Sequence, residues 1–177
     1  MSINEEVVKA LRIAMSAHEG QTDLQGNSYI QHPMRVSQLV VDFFTNEPLY
    51  IKRAQVVAML HDVIEDSDVS SDDLLRSGVS STVVADVVRL TKAHSQMPAQ
   101  YLDCIKQSRV ATAVKFADLI DNTAPGRLVQ LKSADKKRLQ EKYRFYYTCL
   151  LGVDFCYNGA QPKDHPLVRM LGERLAR

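Results

Sequence analysis

The stretch His61-Asp62-Val63-Ile64-Glu65-Asp66 places four ionisable side chains within six residues, directly after an apolar run. The run, Ala54-Gln55-Val56-Val57-Ala58-Met59-Leu60, has no Gly or Pro and predicts a buried helix or a buried strand. A strand would send His61 and Asp62 to opposite faces, whereas a helix gathers all four groups at one end. We therefore expect one helix over residues 49–65 that carries these groups at its buried end.

Four ionisable groups beside a core are costly unless something neutralises them. A divalent cation is the simplest partner, because neutral imidazole and carboxylate are both metal ligands. The stretch therefore favours a metal site over a purely structural helix end.

Helical periods recur along the chain and no strand-like alternation does, so we expect an all-α bundle of about seven to nine helices. Local stop and start signals, such as Gly20, Gly78 and a cap at Ser80 or Ser81, separate the helices. Besides 49–65, the predicted helices lie near 3–17, 32–44, 74–75, 83–91, 101–105, 110–122, 133–151 and 167–175.

Length and composition limit the class of protein. A chain of 177 residues suits a single domain over residues 1–177, and its net charge of +1 argues against a long surface for nucleic-acid polymers or membranes. The first residues lack a signal-peptide pattern, and the three cysteines show no CxxC spacing. We expect a cytoplasmic protein with reduced thiols and a small-molecule partner, and leave open whether it is a monomer or a homodimer.

Three helix ends carry residues that suit one metal ion. His32 begins one predicted helix, His61 and Asp62 end a second, and Asp118 ends a third, where its charge opposes the helix dipole and needs a partner. Mixed imidazole and carboxylate ligation that leaves positions for water suits a catalytic Mn²⁺, with Fe²⁺, Co²⁺ and Zn²⁺ as alternatives. A structural zinc site would more often use cysteines.

The sequence also has more polar groups near these helix ends than one ion needs as ligands. The additional groups are Glu65, Asp66 and Asn122. They lie one turn past the candidate ligands, where a metal-bound water and a substrate would be placed. These three residues are therefore the candidate catalytic groups.

Five sequence motifs resemble the HD phosphohydrolase superfamily, and most closely the hydrolase domain of the RelA/SpoT-type alarmone enzymes and the small alarmone hydrolases. They run in the family's order and cover roughly residues 14–150. The motifs are Ala17-His18-Glu19-Gly20-Gln21, Tyr29-Ile30-x-His32-Pro33-x-x-Val36, Leu60-His61-Asp62-Val63-Ile64-Glu65-Asp66, Leu90-Thr91-Lys92 and Lys115-x-Ala117-Asp118-Leu119-x-x-Asn122.

The resemblance implies an HD-domain helical fold and Mn²⁺-dependent removal of the 3′-pyrophosphate from ppGpp, or from a relative such as ppApp, in the stringent response. By matching position, the metal would be held by four residues, and Glu65 and Asp66 would activate or orient the attacking water. Asn122 would contact the substrate or the metal-bound water. The four implied metal ligands are His32, His61, Asp62 and Asp118.

Candidate substrate contacts follow from the same resemblance. Lys92, Lys115 and Arg127 are candidate phosphate ligands, and Tyr146 is a candidate wall of the nucleotide pocket, although core packing is the commoner role of such an aromatic residue. The chain has Asp23 where typical alarmone hydrolases have a basic residue that packs on the base, so the resemblance leaves open a guanine alarmone, an adenine alarmone or another phosphorylated nucleotide. Alternatives are an HD phosphohydrolase acting on a nucleoside monophosphate or NADPH, and a non-catalytic nucleotide sensor.

Overall fold

The computed structural model describes residues 3–44, 46–128 and 133–152. These residues form helices and a single isolated β-bridge, between Thr22 and Ser28. In chain order the helices are α1 (Ile3–Ala17), α2 (Gln31–Leu39), α3 (Pro48–Leu60), α4 (Val63–Asp66), α5 (Ser71–Arg76), α6 (Ser81–Leu90), α7 (Pro98–Lys106), α8 (Arg109–Asn122), α9 (Pro125–Leu128) and α10 (Ser133–Leu151).

Eight of these helices have six residues or more, which confirms the all-α class and the predicted number. None of the helices in the described ranges has the length and apolar character that a membrane crossing requires. Cys104 and Cys149 are free thiols. The predicted helix at 167–175 and Cys156 lie outside the described residues.

Serine caps begin several of the helices where the sequence predicts a start. The side chain of Ser80 accepts from the backbone N–H of Val83, and that of Ser108 accepts from the N–H of Ala111. Ser70 and Asp73 form a reciprocal capping box at the start of α5. Each cap satisfies an N–H group that the first helical turn leaves without a partner.

Helix α3 lies at the centre of the fold, against α1, α2, α6 and α8. Val57 and Leu60 of α3 are fully buried, and so are Phe116 of α8 and Tyr147 of α10. The burial of these apolar faces is the main stabilising contribution. It also fixes the C-terminal ends of α3 and α8 beside the N-terminal end of α2, where the candidate ligands lie.

The predicted continuous helix over residues 49–65 is wrong. Helix α3 ends at Leu60, and α4 begins at Val63 after a turn formed by His61 and Asp62. Asp62 takes the N-cap position of α4, because its carbonyl accepts from the N–H of Asp66 at 2.8 Å. The carboxylate of Asp62 is thereby left free to turn into the site.

Two smaller boundaries also differ from the prediction. Helix α2 ends at Leu39, and Val40–Phe43 continues as a 3-10 turn that still buries Val40 and Phe43. Pro125 begins the single turn α9, which is not among the predicted helices and agrees with the preference of proline for the first helical position.

Candidate metal centre and its pocket

Two imidazoles and two carboxylates converge at the ends of α2, α3 and α8. His61 Nε2 lies 3.0 Å from Asp62 Oδ2 and 3.9 Å from Asp118 Oδ1. His32 Nε2 lies 3.7 Å from Asp62 Oδ2 and 3.3 Å from Asp118 Oδ1. Atoms about 3–4 Å apart can share one ion at the usual ligand distances of about 2.0–2.2 Å. His32, His61 and Asp62 thus form a group that could hold a metal ion, and Asp118 lies at its edge.

The second nitrogen of each imidazole is already bound, which leaves Nε2 for a metal. His61 Nδ1 donates to the carbonyl oxygen of Ala58 at 2.8 Å, and His32 Nδ1 lies 2.7 Å from Asp121 Oδ2. Both partners only accept hydrogen bonds, so Nδ1 carries the proton in each ring. His61 Nε2 is buried and forms no hydrogen bond of suitable geometry with the described residues, although Asp62 Oδ2 lies 3.0 Å away, which fits a metal ligand.

The charges of the site are strongly coupled. Burial lowers the pKa of His32, but the carboxylates of Asp118 and Asp121 outweigh it and raise that pKa to about 9. Burial acts on His61 in the same direction, and the charge of Asp62 raises its pKa above the usual value. Burial raises the pKa of Asp62, but His61 more than compensates and holds it below its usual range. Without an ion the ring of His32 is therefore protonated on both nitrogens at neutral pH, and a divalent cation would displace the proton on Nε2.

Asp118 is held by two neighbours on its own helix. Lys115 Nζ contacts Asp118 Oδ2 at 2.8 Å, and the side-chain amide of Asn122 donates to Oδ1. Burial raises the pKa of Asp118, but Lys115 keeps it well below the usual value. The cation also offsets the unfavourable position of a carboxylate near the C-terminal end of α8.

Tyr29 connects two acidic residues of the site, which sequence analysis did not foresee. Its hydroxyl donates to Asp62 Oδ2 at 2.6 Å and lies 3.4 Å from Asp66 Oδ2. Burial and the nearby charge of Asp62 raise the pKa of Asp66. Tyr29 therefore fixes the orientation of Asp62 in the site.

A cavity of about 320 Å³ is lined by three of the four donors, His32, Asp62 and Asp118, whereas His61 is not among its lining residues. All four predicted substrate contacts line it, as do Glu65 and Asn122. Asp66 is not among the lining residues, so within the acidic pair Glu65 is the one that faces the cavity. The lining residues are Tyr29, His32, Asp62, Glu65, Leu90, Lys92, Tyr101, Lys115, Asp118, Asn122, Arg127, Lys142 and Tyr146.

Several wall residues are held by neighbours. The Glu65 carboxylate accepts from the backbone N–H of Lys92 at 2.9 Å. The rings of Tyr101 and Tyr146 lie 5.5 and 5.7 Å from Lys115 Nζ. Lys142, which sequence analysis did not single out, lies 5.6 Å from the ring of Tyr146. The wall that faces the metal ligands therefore combines cations with aromatic rings.

Comparison with known proteins finds relatives among the alarmone enzymes. The chain is 30% identical over 133 residues to a probable chloroplastic GTP diphosphokinase of Arabidopsis thaliana, a match that covers 75% of this chain and 18% of that relative. A guanosine-3′,5′-bis(diphosphate) 3′-pyrophosphohydrolase of Vibrio cholerae is 41% identical over 76 residues, which is 41% of this chain and 10% of that protein. The chain thus spans between a tenth and a fifth of the length of these relatives. No family model matches the sequence.

A solved structure has the same fold. It is that of a metazoan ortholog of SpoT that hydrolyses ppGpp, with a TM-score of 0.65, 18% sequence identity, and coverage of 96% of this chain and 93% of that chain. This chain therefore shares the all-α fold of that protein, and two histidines and two aspartates lie at converging helix ends of the fold. More particularly, this domain is related to the hydrolase domain of the RelA/SpoT-type alarmone proteins, as the sequence motifs indicated.

Proposed function

We propose that the protein is a divalent-metal-dependent hydrolase that removes the 3′-pyrophosphate of ppGpp or of a related alarmone such as ppApp. The observation that carries the proposal is the cavity itself, which three of the four candidate metal ligands line: His32, Asp62 and Asp118. The same cavity is lined by four cations, Lys92, Lys115, Lys142 and Arg127. A nucleotide with two phosphorylated positions could place one at the metal and the other among these cations. The names of the relatives support the same substrate class.

The metal would be held by His32, His61, Asp62 and Asp118. When bound, a divalent ion polarises a phosphoryl oxygen and lowers the pKa of a coordinated water. We favour Mn²⁺ because the donors are two nitrogens and two carboxylate oxygens, with Fe²⁺, Co²⁺ and Zn²⁺ as alternatives.

Glu65 is the proposed general base. In the proposed reaction, water adds to the phosphorus attached to the ribose 3′-oxygen, the bond between these two atoms breaks, and pyrophosphate leaves. Glu65, oriented by the N–H of Lys92, accepts the proton of the water and returns it to the 3′-oxygen. Asp66 does not line the cavity and would assist the proton transfer through the hydroxyl of Tyr29, which lies 3.4 Å from its carboxylate. Asn122 orients Asp118.

The cations divide into two pairs. Lys115 and Arg127 contact the carboxylates of Asp118 and Asp121 at 2.8 and 3.0 Å. Lys92 and Lys142 line the same cavity, and neither forms an ion pair with another residue in the described part of the chain. We therefore assign Lys92 and Lys142 the phosphates distant from the metal, and Tyr146 a contact with the nucleoside.

The preference for guanine or adenine depends on Asp23, and the side chain of Asp23 stabilises the loop that contains it. Its carboxylate accepts from the backbone N–H groups of Gln25 and Asn27 at 2.9 and 3.0 Å. Gly26, at the tip of this loop, has a φ of 81°, which favours glycine. A side chain used in this way cannot stack on a purine, so we propose that guanine and adenine alarmones are both substrates.

We further propose that residues 1–177 act as one domain in the cytoplasm. The proposed partner is a phosphorylated small molecule, and neither a nucleic-acid polymer nor a membrane.

The test is a substrate panel with the Mn²⁺-loaded protein: ppGpp, ppApp, NADPH and a nucleoside monophosphate. The His61→Ala/Asp62→Ala double variant serves as the control. Pyrophosphate release from ppGpp or ppApp, absent in the control, is the expected result. If orthophosphate is released from NADPH or the monophosphate and neither alarmone reacts, the protein is an HD phosphohydrolase with a different substrate. Binding without turnover of any compound would favour a nucleotide sensor.

A further inference from the structure

Asp121 contacts a candidate metal ligand without lining the cavity. It lies in the last turn of α8 and is 5% exposed, and its Oδ2 is 2.7 Å from Nδ1 of His32. A carboxylate only accepts, so this contact keeps the proton on Nδ1 and turns Nε2 of His32 towards Asp62 and Asp118. The orientation of this ligand therefore depends on a residue outside the cavity.

Two arginines fix the carboxylate of Asp121. Arg35 donates from Nε to Oδ1 at 2.6 Å and from its terminal nitrogen to Oδ2 at 3.0 Å, a two-pronged contact that sets the plane of the carboxylate. Arg127 donates to Oδ2 at 3.0 Å from the side of the cavity. These cations also offset the cost of a buried negative charge at a helix C-terminus.

We propose that Asp121 is a positioning residue for the metal site: it fixes the ring of His32 with Nε2 towards the ion, and Arg35 fixes Asp121 in turn. The inference rests on the proposed metal site. Partners of this kind, which bind the second nitrogen of a ligating histidine, typically change metal affinity by about 10- to 100-fold when they are removed.

The chain contains a matched control. Asp86 of α6 is 1% exposed, accepts from Nε of Arg53 at 2.9 Å and lies 3.8 Å from Arg89. It is thus a buried aspartate between two arginines, as Asp121 is, but it neither touches a candidate ligand nor lines the cavity. Any loss of stability from neutralising a buried, arginine-bound aspartate should appear in both positions.

The experiment is calorimetric titration of the metal-free protein with Mn²⁺, with the free energy of unfolding measured in parallel. Asp121→Asn is nearly isosteric and is expected to raise the dissociation constant for Mn²⁺ by about tenfold or more. Arg35→Gln should raise it by a smaller factor. Asp86→Asn and Arg53→Gln should lower the free energy of unfolding to a similar extent and leave the dissociation constant unchanged.

Equal Mn²⁺ affinity in the wild type and in Asp121→Asn would overturn this inference alone. If the wild type binds no Mn²⁺, the metal site fails and the inference fails with it. Should Asp121→Asn not fold, the pair Arg35→Gln and Arg53→Gln gives the same comparison, and equal affinity in that pair would count against the inference.

Discussion

Each candidate metal ligand has a second contact that fixes it before any ion binds. His61 is held by the Ala58 carbonyl, Asp62 by the hydroxyl of Tyr29, and Asp118 by Lys115. Such contacts reduce the reorganisation that metal binding requires. They also explain why ionisable groups are tolerated at the end of a buried apolar helix.

Glu65 is the residue whose replacement should separate metal binding from chemistry. Because it faces the cavity but is not among the grouped metal donors, Glu65→Gln should lower kcat by about 100-fold or more and leave Mn²⁺ affinity within about twofold of the wild type. Steady-state kinetics and calorimetry measure the two quantities. Asp68→Asn, on the exposed loop after α4, is the control and should change neither. An unchanged kcat in Glu65→Gln would remove Glu65 from the mechanism.

The raised pKa of His32 makes the metal-free protein sensitive to pH. A group whose pKa rises on folding, here from 6.5 to about 9, contributes stability below pH 6.5 and loses it as the pH rises through 9. We expect the free energy of unfolding, measured with urea in the presence of EDTA, to fall over this interval. The fall should be smaller in His32→Gln. An equal slope in both proteins would contradict the assignment.

The sequence identified the four candidate ligands because their residue types and motifs carry the chemistry. It did not identify Tyr29 and Asp121 as the residues that hold Asp62 and His32, because these two contacts join distant parts of the chain. Tyr29 and Asp62 are 33 residues apart, and His32 and Asp121 are 89 apart. Lys142 was missed for another reason. It lies in a basic helix where nothing in the sequence distinguishes it from its neighbours.

Among the elements, α8 combines a cap at one end with the site at the other. Ser108 caps its first turn, and Asp118, Asp121 and Asn122 lie in its last turns. The helix was predicted nearly in full, over residues 110–122, from its apolar spacing. The turn at His61 and Asp62 was not, because Val63 and Ile64 continue the apolar pattern through it.

Because the cap and the site lie at opposite ends of α8, we expect that removing the cap changes stability and not metal binding. Ser108→Ala removes the acceptor for the N–H of Ala111 and should lower the free energy of unfolding by about 1 kcal/mol. Ser108→Gly should lower the free energy of unfolding by only a few tenths of a kcal/mol, since glycine is tolerated at the N-cap position. Both variants should bind Mn²⁺ as the wild type does. Weakened metal binding would show that the cap and the site are coupled through the helix.

At the scale of the whole molecule, the site joins three helices that the core holds together. Ligands from α2, from α8 and from the turn after α3 can meet only in the folded chain. A metal that binds all of them therefore favours the folded state over the unfolded one. The helical periodicity of the sequence predicts such a bundle, but it does not predict which helix ends lie together.

Metal should accordingly stabilise the protein. At a Mn²⁺ concentration of 100 times the dissociation constant, the expected gain is about 2.7 kcal/mol, seen as a rise in Tm that EDTA reverses. The His61→Ala/Asp62→Ala variant should show no metal-dependent rise. An equal rise in this variant would mean that the ion binds elsewhere.

The most direct measurement of the proposed function is the product of ppGpp hydrolysis, followed by ³¹P NMR with the Mn²⁺-loaded protein. We expect pyrophosphate and GDP in equal amounts, and no reaction with the His61→Ala/Asp62→Ala variant. Orthophosphate as the product, no turnover by the wild type, or equal turnover by both proteins would contradict the proposed 3′-pyrophosphohydrolase.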